Sequence, residues 1–432
     1  MDSHVDDVPA GFKMTELRLL PVEWDTKRLR ELVSTIKGKK PNKIVESNQY
    51  DAFAYLTADC FRTGIPSNFV NLTDRSSVVE VSDSDIVLIW DGSNAGDVFI
   101  GKNGILASTM VKIICNKLLV DVNYLYFFLK TKFDLFNTKT TGSTIPHINK
   151  QVFQDLLVPL PNRSEQRTIA RVLSTIQRAI EAQDKVIAAA RELKKSLMRH
   201  LFTYGPVPVD QIDQVEIKET EIGSFPVGWN ITSIGDQFYL KQGKSLSAKN
   251  NIGTNPIPFL RTANVLWGKI DISTTDQMDF TEEEIVQYRL IANDLLVCEG
   301  GDIGRAAIWN NEIDLCCYQN HLHRLRPISQ NIVPQYLMYW MHMAIQLLNL
   351  YEGAENKTTI PNLSQSRLKE FRFPLPTVEQ QNMIVKTISN IDNKIQAEEN
   401  RKSALQTLFK TMLHLLMTGK IRVKDLDLIK EH

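Results

Sequence analysis

The chain has 432 residues, of which 43% are hydrophobic and 23% charged, and its 50 basic residues balance its 50 acidic residues. This length predicts two or three domains with cores of their own, and the composition excludes a disordered or fibrous protein. The zero net charge argues against a protein that holds nucleic-acid phosphates by itself.

The amino-terminal segment and the apolar stretches do not indicate export or a membrane span. Residues 1–14 are predicted to form a disordered acidic tail. Residues 1–7 are polar and acidic, whereas a secretory signal is basic and apolar, so no such signal is predicted. The apolar stretch 336–351 is shorter than a bilayer span and contains polar residues, so it is predicted to be a buried helix. The five cysteines lack C-x-x-C spacing, which favours reduced thiols over a disulfide framework or a zinc site.

The sequence repeats itself. The motif T-I-P-H-I begins at Thr144 and T-I-P-N-L begins at Thr359, an offset of 359 − 144 = 215 residues, and a P-L-P follows each motif at the same offset. The offset continues without a gap beyond each P-L-P, where Ile169 matches Ile384. This repeat predicts two similar units in the order domain, helix, domain, helix.

A long helix is predicted after each P-L-P. Asn162 with Glu165, and Thr377 with Gln380, have the spacing at which two side chains cap a helix start reciprocally. No proline or glycine follows for about 40 residues, so each helix would be roughly 60 Å long. Apolar residues recur at alternating intervals of four and three, which is typical of a coiled-coil seam. The predicted helix–helix seam consists of Ile169, Leu173, Ile176, Ile180, Ile187, Leu197, Leu201, Ile384, Ile388, Ile391, Ile395, Leu405, Phe409, Met412 and Leu416.

Polar residues interrupt both seams, at Gln183, Lys194, Glu398 and Lys402. A buried polar residue commonly fixes the register of a coiled coil or the choice of partner. Alternatively, these side chains reach solvent in a loosely packed middle. Two similar units on one chain favour a pseudo-two-fold arrangement with antiparallel helices.

The regions before the helices match each other more weakly. L-P-V-E-W at 20–24 opens the first and F-P-V-G-W at 225–229 opens the second. Within each, an acid and an apolar run lead into glycines, as in D-I-V-L at 85–88 and D-L-L-V at 294–297. Such runs predict a strand that enters a tight turn.

Motifs for catalysis or metal binding fail on inspection. The run at 242–245 resembles the end of a phosphate-binding loop, but Phe238 stands where that loop needs its first glycine. The turn at 301–305 is too short for a dinucleotide fingerprint. His321 and His323 are predicted to share one face of a strand rather than a metal. No N-P-P-[YFW] motif for methylating a flipped base occurs either, so neither catalytic nor metal-binding residues are predicted.

Together, in this order and in duplicate, these motifs resemble the specificity subunit of type I restriction-modification systems over nearly the whole chain. The most specific are F-P-V-G-W at 225–229, G-G-D-I-G-R at 300–305, T-I-P at 144–146 and 359–361, and L-M-T-G-K-I-R-V at 416–423. The first half departs from the family pattern, with Glu23 where glycine is usual.

The resemblance implies two α/β (α+β) target recognition domains separated by two long antiparallel coiled-coil helices. Each domain would read one half of a bipartite, asymmetric site in double-stranded DNA. Two methyltransferase subunits would dock on the helices, and motor-endonuclease subunits would join in a full restriction system. S-adenosylmethionine and ATP are expected on those partners, with no cofactor on this non-catalytic chain, in the cytoplasm of a bacterium or archaeon. The predicted segments are a tail at 1–14, recognition domain 1 at 15–158, helical spacer 1 at 159–204, a linker at 205–222, recognition domain 2 at 223–373, helical spacer 2 at 374–420 and a tail at 421–432.

Basic and polar residues in loops are the candidates for contact with DNA. Lysines are suited to phosphates, whereas arginine, asparagine and glutamine can read base edges, although any one of them could equally be a solvated loop residue. Residues 206–360 have about eight more acids than bases, so a basic partner is expected to supply phosphate contacts. The candidates are Lys37, Lys39, Lys40, Lys43, Arg62, Asn94, Lys102, Lys139, Lys241, Lys244, Ser245, Lys249, Asn250, Arg261, Asn264, Arg305 and Lys357.

A scaffold that pairs two partner proteins through its coiled coil, without reading DNA, is the alternative function. The helical seams alone would allow it, but two divergent, loop-rich domains would then have no role. Selection of particular duplexes by the reconstituted complex would distinguish the two hypotheses.

Overall fold

A computed structural model describes residues 8–46, 52–71, 78–142, 145–245, 256–300, 302–350 and 363–424. The chain divides into two compact units, Met1–Asp184 with Asn400–His432 and Lys185–Glu399. The division falls within both long helices, so each unit contains one globular domain, predicted from the sequence to be a recognition domain, and a part of each helix.

The first recognition domain combines short strands with short helices. Its described strands are β1 (Phe12–Thr15), β2 (Arg18–Pro21), β3 (Asp25–Arg28), β4 (Val33–Lys37), β5 (Ala52–Leu56), β6 (Phe69–Asn71), β7 (Glu80–Val81), β8 (Ile86–Ile89), β9 (Val98–Ile100), β10 (Gly104–Leu106), β11 (Met110–Cys115), β12 (Thr140–Thr141), β13 (His147–Ile148) and β14 (Leu157–Leu160). The helices are α1 (Leu29–Leu32), α2 (Ala58–Thr63), α3 (Val122–Lys130), α4 (Phe133–Thr138) and α5 (Lys150–Asp155), followed by the long α6 (Arg163–Tyr204).

A central antiparallel sheet in the order β4-β11-β8-β9 organises this domain. Strand β8 is buried on both faces: Ile86 and Leu88 pack in the core that includes the long helices, while Val87 and Ile89 pack against the second sheet. Alternate side chains of a strand point to opposite faces, so four consecutive apolar residues join two cores here. The second sheet has the order β6-β5-β10-β7.

The second recognition domain has the same central sheet. Its described strands are β15 (Ile217–Thr220), β16 (Gly223–Pro226), β17 (Asn230–Ser233), β18 (Phe238–Gln242), β19 (Pro256–Leu260), β20 (Val265–Leu266), β21 (Lys269–Ile270), β22 (Asp276–Asp279), β23 (Leu295–Cys298), β24 (Ala306–Ile308), β25 (Cys317–Tyr318), β26 (Leu322–Pro327) and β27 (Arg372–Leu375). The helices are α7 (Ile234–Gln237), α8 (Glu282–Tyr288), α9 (Pro334–His342), α10 (Gln365–Glu370) and the long α11 (Val378–Met417).

The order β18-β26-β23-β24 repeats the order β4-β11-β8-β9, with antiparallel pairing throughout. Strand β23 likewise divides its side chains, with Leu295 and Val297 in one core and Leu296 and Cys298 in another. This topology confirms the predicted internal repeat and the mixed class of both domains.

The long helices lie where the capping signals and the uninterrupted periodicity predicted them. All fifteen predicted seam residues are buried or half-buried. In the first unit Lys402 pairs with Asp184, and in the second Arg191 pairs with Glu399 at 2.6 Å. In each unit an early part of one helix therefore lies beside a late part of the other, as in an antiparallel pair. Gln183 is 6% exposed, so this polar residue is buried rather than facing solvent.

The two units differ in the contact between the domain and the helices. In the first unit Phe127 of α3 packs edge-on against Phe409 of α11, with ring centroids 6.0 Å apart. In the second, Tyr339 of α9 donates a hydrogen bond to Asp392 at 2.9 Å, and the Lys194 ammonium binds Asp392 at 2.6 Å and lies 5.5 Å from the Tyr339 ring. The first contact is aromatic and the second is polar.

Three segments that were predicted as tails or as a linker contain residues that the structure places in strands or in a core. Residues 12–14 of the predicted tail belong to β1, which pairs with β2, while residues 1–7 lie outside the described residues. The predicted linker contains β15, which pairs with β16. Ile421 and Val423 of the predicted carboxyl-terminal tail pack in the core of the first unit.

Two further sequence predictions have different outcomes. The stretch predicted as a buried helix forms α9 and a π-helical turn, Met343–Leu347, with α9 mostly buried. His321 and His323 do not share a strand face, since His321 lies in an exposed turn and His323 is fully buried in β26. No helix in the described part of the chain has the length and hydropathy needed to cross a membrane.

Candidate nucleic-acid interface

In both units the edge strand of the central sheet ends at a closely packed glycine. The Gly38 amide donates to the Met110 carbonyl at 2.9 Å, and the Gly243 amide donates to the Leu322 carbonyl at 3.1 Å. A Cβ on Gly38 would lie 2.1 Å from the Ala107 oxygen, and one on Gly243 would lie 2.3 Å from the corresponding oxygen of Gln319. Only glycine fits where the backbone lies this close to a carbonyl oxygen. Since both domains have this contact directly after the edge strand, the loops that follow begin at equivalent points.

The residues that follow each T-I-P motif lie beside the turn after the third strand of each sheet. The Ile148 amide donates to the Trp90 carbonyl at 3.0 Å, and the Leu363 amide donates to the Glu299 carbonyl at 2.9 Å. The Gly92 amide also donates to the Pro146 carbonyl at 2.8 Å. Thr144 and residues 359–361 lie outside the described residues. Segments that are distant in sequence therefore meet beside this turn: Pro146 and Ile148 in the first domain, and Leu363 in the second.

A carboxylate organises this edge in the first domain. Asp91 accepts from Lys37 Nζ at 2.8 Å and lies 2.6 Å from His147 Nδ1, and its side chain is only 12% exposed. The Lys37 side chain is 52% exposed. Asp91 therefore holds one face of Lys37 while the rest of that side chain faces solvent.

The basic loop after Gly38 adds positive charge to this edge. Lys39, Lys40 and Lys43 are exposed and make no ion pair with any described residue. Lysines with this exposure are available to phosphate groups. The predicted cluster around Gly38 is therefore placed on the surface, next to the turn that carries the exposed Asn94.

The remaining candidates of the first domain do not gather in the same way. Arg62 pairs with Asp97 at 2.5 Å. Lys102 is half-buried, and Lys139 is exposed just after α4.

In the second domain, Lys244 is engaged inside the protein. Its ammonium binds Glu284 at 2.6 Å and the Asp279 carbonyl at 2.7 Å, and it lies 4.7 Å from the centre of the Phe280 ring. Burial raises the pKa of Glu284, but hydrogen bonds from Lys244 and the Thr281 backbone outweigh burial and hold that pKa below its ordinary value. The structure thus gives Lys244 internal partners, and its contact with DNA stays a prediction.

Asn264 has an internal position too. It is 4% exposed and its side-chain amide donates to the carbonyls of Asp271 and Thr274, so it stabilises a turn. The contact of Asn264 with DNA likewise stays a prediction.

The other second-domain candidates are half-buried or exposed. Arg261 pairs with Asp276 at 3.0 Å, Arg305 donates to the Thr262 carbonyl at 3.1 Å, and Lys241 lies 5.6 Å from the Tyr288 ring centre. Ser245 is exposed at the start of the loop. The predicted contacts Lys249, Asn250 and Lys357 lie outside the described residues.

The sequence analysis missed the side chains that hold this edge in place. Gln242 of the second domain donates to Glu299, as Lys37 does to Asp91 in the first. His147 completes the first cluster. Their signal in the sequence is an acid one or two residues beyond each buried strand, whereas the predicted DNA contacts are basic or polar residues of loops.

Comparisons with known proteins decide the family. A family profile described as the type I restriction modification DNA specificity domain matches residues 21–189 and 226–407, which is most of the chain. This chain belongs to the type I restriction-modification specificity subunits. It is 31% identical over 429 residues to the type I restriction enzyme MjaVIII specificity subunit of Methanocaldococcus jannaschii, a match that covers 96% of this chain and 97% of that protein. It is 21% identical to the EcoBI specificity subunit of Escherichia coli, over 80% of this chain and 76% of that one.

A solved structure shows the same fold. The crystal structure of the type I S subunit from M. genitalium has a TM-score of 0.58 and 18% identity to this specificity subunit, and the match covers 91% of this chain and 96% of the other. Membership of the family implies that this specificity subunit has a role in recognising DNA.

Proposed function

We propose that each recognition domain of this specificity subunit reads one half of a bipartite, asymmetric DNA site. The observation that carries the proposal is the duplicated edge, at which two sheets of the same order both end in a packed glycine followed by a polar loop. The loops differ in sequence although their starting points are equivalent. Two loops that start at equivalent points of the backbone but have different side chains are suited to reading two different half-sequences of DNA.

The two long helices are proposed to set the spacing of the half-sites and to dock two methyltransferase subunits. Leu193 and Leu408 occupy equivalent positions of the repeat and are 55% and 45% exposed. Large apolar side chains that are exposed at repeated positions are suited to two copies of one partner. Those partners would bind S-adenosylmethionine and methylate an adenine in each half-site, and motor-endonuclease subunits would use ATP to cut unmodified DNA.

The specificity subunit itself is proposed to be non-catalytic and to act in the cytoplasm. Since its formal charge is zero, partner subunits would supply much of the contact with phosphates. Two weak half-site contacts on one chain would combine into strong binding, because the second contact is intramolecular.

Mapping of methylated adenines tests the proposal. The complex reconstituted from this chain and its methyltransferase subunits is expected to methylate a two-part motif with a fixed gap, and omission of this chain should abolish the selectivity. Equal methylation or binding of random duplexes would instead favour the scaffold without DNA reading.

The lysine loop provides a second prediction. Replacing Lys39 and Lys40 together by alanine is expected to weaken binding to all duplexes and to lower the slope of log K against log salt by about two, because each lost phosphate contact releases roughly one counterion fewer. Binding titrations at several salt concentrations measure this slope. Lys117→Ala, which removes an exposed lysine outside the loop, is the control and should leave the slope unchanged. Unchanged binding by the double variant would remove this loop from the interface.

A further inference from the structure

Lys37 and Gln242 occupy the same position in the two domains. Lys37 is the last residue of β4 and pairs with Val111, and Gln242 is the last residue of β18 and pairs with His323. The packed glycine follows immediately in both. Position for position, one domain presents an ammonium group and the other a carboxamide.

The carboxamide of Gln242 has a fixed orientation. Its Nε2 donates to Glu299 Oε2 at 3.0 Å and to the Asn320 carbonyl at 2.9 Å. A reversed amide would place its oxygen against these two acceptors, so the hydrogen-bond network determines which atom is the nitrogen. An amide nitrogen has two hydrogens, and both are used here.

Only the carbonyl oxygen of Gln242 remains for a ligand. This oxygen accepts no hydrogen bond from the described residues, and the side chain is half-exposed. Glutamine usually reads adenine by donating and accepting at once. Gln242 instead acts as an acceptor alone, because Glu299 and Asn320 have taken its donors.

An acceptor has few direct partners on DNA. Phosphate and deoxyribose oxygens in a DNA strand accept hydrogen bonds and have none to donate, so they repel the Gln242 oxygen. In the major groove the donors are the amino groups of adenine N6 and cytosine N4, whereas guanine N7 and O6 and thymine O4 are acceptors. A direct contact of Gln242 with the major groove is therefore a contact with a base.

We infer that Gln242 is a specificity-determining residue that accepts a hydrogen bond, in the major groove, from the exocyclic amino group of an adenine or cytosine in the second half-site. This inference rests on the proposed function. Glu299 and Asn320 are positioning residues, because they act through the orientation of Gln242. Lys37 has the opposite polarity: its ammonium donates, which suits phosphates or the O6 and N7 atoms of guanine.

The test uses the reconstituted complex and duplexes in which single bases of the methylated motif are replaced. Purine in place of adenine, or 2-pyrimidinone in place of cytosine, removes only the amino group. The wild type is expected to lose ten- to a hundredfold in affinity at one such position of the second half-site. Gln242→Met should show no loss at that position, should accept guanine or thymine there, and should keep the salt dependence of the wild type.

Two variants serve as matched controls. Lys37→Met should leave the second half-site unchanged. Gln242→Lys reproduces the lysine–carboxylate pair that Lys37 and Asp91 form in the first domain, so the fold already contains this arrangement. It is expected to fold and to shift the preference at the same position towards guanine.

The outcomes separate the inference from the proposed function. Absence of any sequence preference in the wild type would overturn both. A selective wild type whose preference is unchanged in both Gln242 variants would overturn the inference alone, and so would a Gln242→Met variant that binds every duplex more weakly by the same factor.

Discussion

Duplication of one heptad in each long helix is expected to lengthen the gap between the two methylated half-sites by about one to three base pairs. Seven residues add about 10 Å to a helix, which is the rise of about three base pairs along a duplex. The gain would be smaller where the helices are inclined to the DNA axis. Copying residues 181–187 and 399–405 preserves the alternation of four and three that buries the seam.

Methylation mapping in cells that carry the variant measures the gap. Both half-sequences should stay the same, because neither recognition domain is altered. The control variant carries the duplicated heptad in α6 alone. Because the apolar seams of the two helices then differ in length and cannot pack along their whole length, this variant is expected to lose methylation. An unchanged gap in the double insertion would refute the proposal that the helices set the spacing.

Replacing Arg422 by methionine is expected to destabilise the first unit by about 3 kcal/mol, the usual cost of breaking a buried ion pair from one side. Arg422 donates to both oxygens of Glu165, at 2.6 and 2.8 Å, and to Glu23 at 2.6 Å. Its side chain is 13% exposed and that of Glu165 is 9% exposed. The hydrogen bond to Glu165 is the main cause that raises the pKa of Arg422, so the guanidinium stays charged at every pH at which the protein folds.

Urea denaturation, monitored by hydrogen exchange of amides in the first unit, measures the decrease in the free energy of unfolding. The remaining carboxylate of Glu165 would keep only the hydrogen bond from Trp24 Nε1, which is 3.2 Å away. Lys424→Met is the matched control, because Lys424 is 65% exposed and lies 3.8 Å from Glu23. Equal stability of the two variants would show that the Arg422 contacts contribute nothing measurable.

The long helices could be predicted from the sequence because their causes are local. Capping residues, the absence of glycine and proline, and the spacing of apolar residues all lie within the segments themselves. Asn162 accepts from the Glu165 amide at 3.0 Å and Thr377 from the Gln380 amide at 3.3 Å, at the predicted helix starts. The packing of Arg422, within the predicted tail, was not visible in the sequence because its partner Glu165 lies 257 residues away.

The candidate interface could be predicted only in part, for the same physical reason. A run of exposed lysines around Gly38 is visible in the sequence. The pairing of Gln242 with Glu299 is not, because the two residues are separated by 57 positions and lie at the ends of two strands, β18 and β23, on either side of β26. In the sequence Gly243 resembles part of a phosphate-binding loop. In the structure the lack of a side chain at Gly243 allows its backbone to pack closely on the Gln319 carbonyl.

The contrast between the Phe127–Phe409 contact and the Lys194–Asp392–Tyr339 contact constrains how such proteins acquire new targets. A recombination event that carried α3 onto the helix segments of the second unit would bring Phe127 against Lys194 and Asp392 and remove the Tyr339 hydroxyl from them. Such a chimera would lose the Phe127–Phe409 ring contact and the Tyr339–Asp392 hydrogen bond, and so would be less stable. A recombinant that stays stable would therefore exchange the recognition domain together with the helix residues that contact it. Acquisition of a new half-site would then depend on a few helix positions that contact no base.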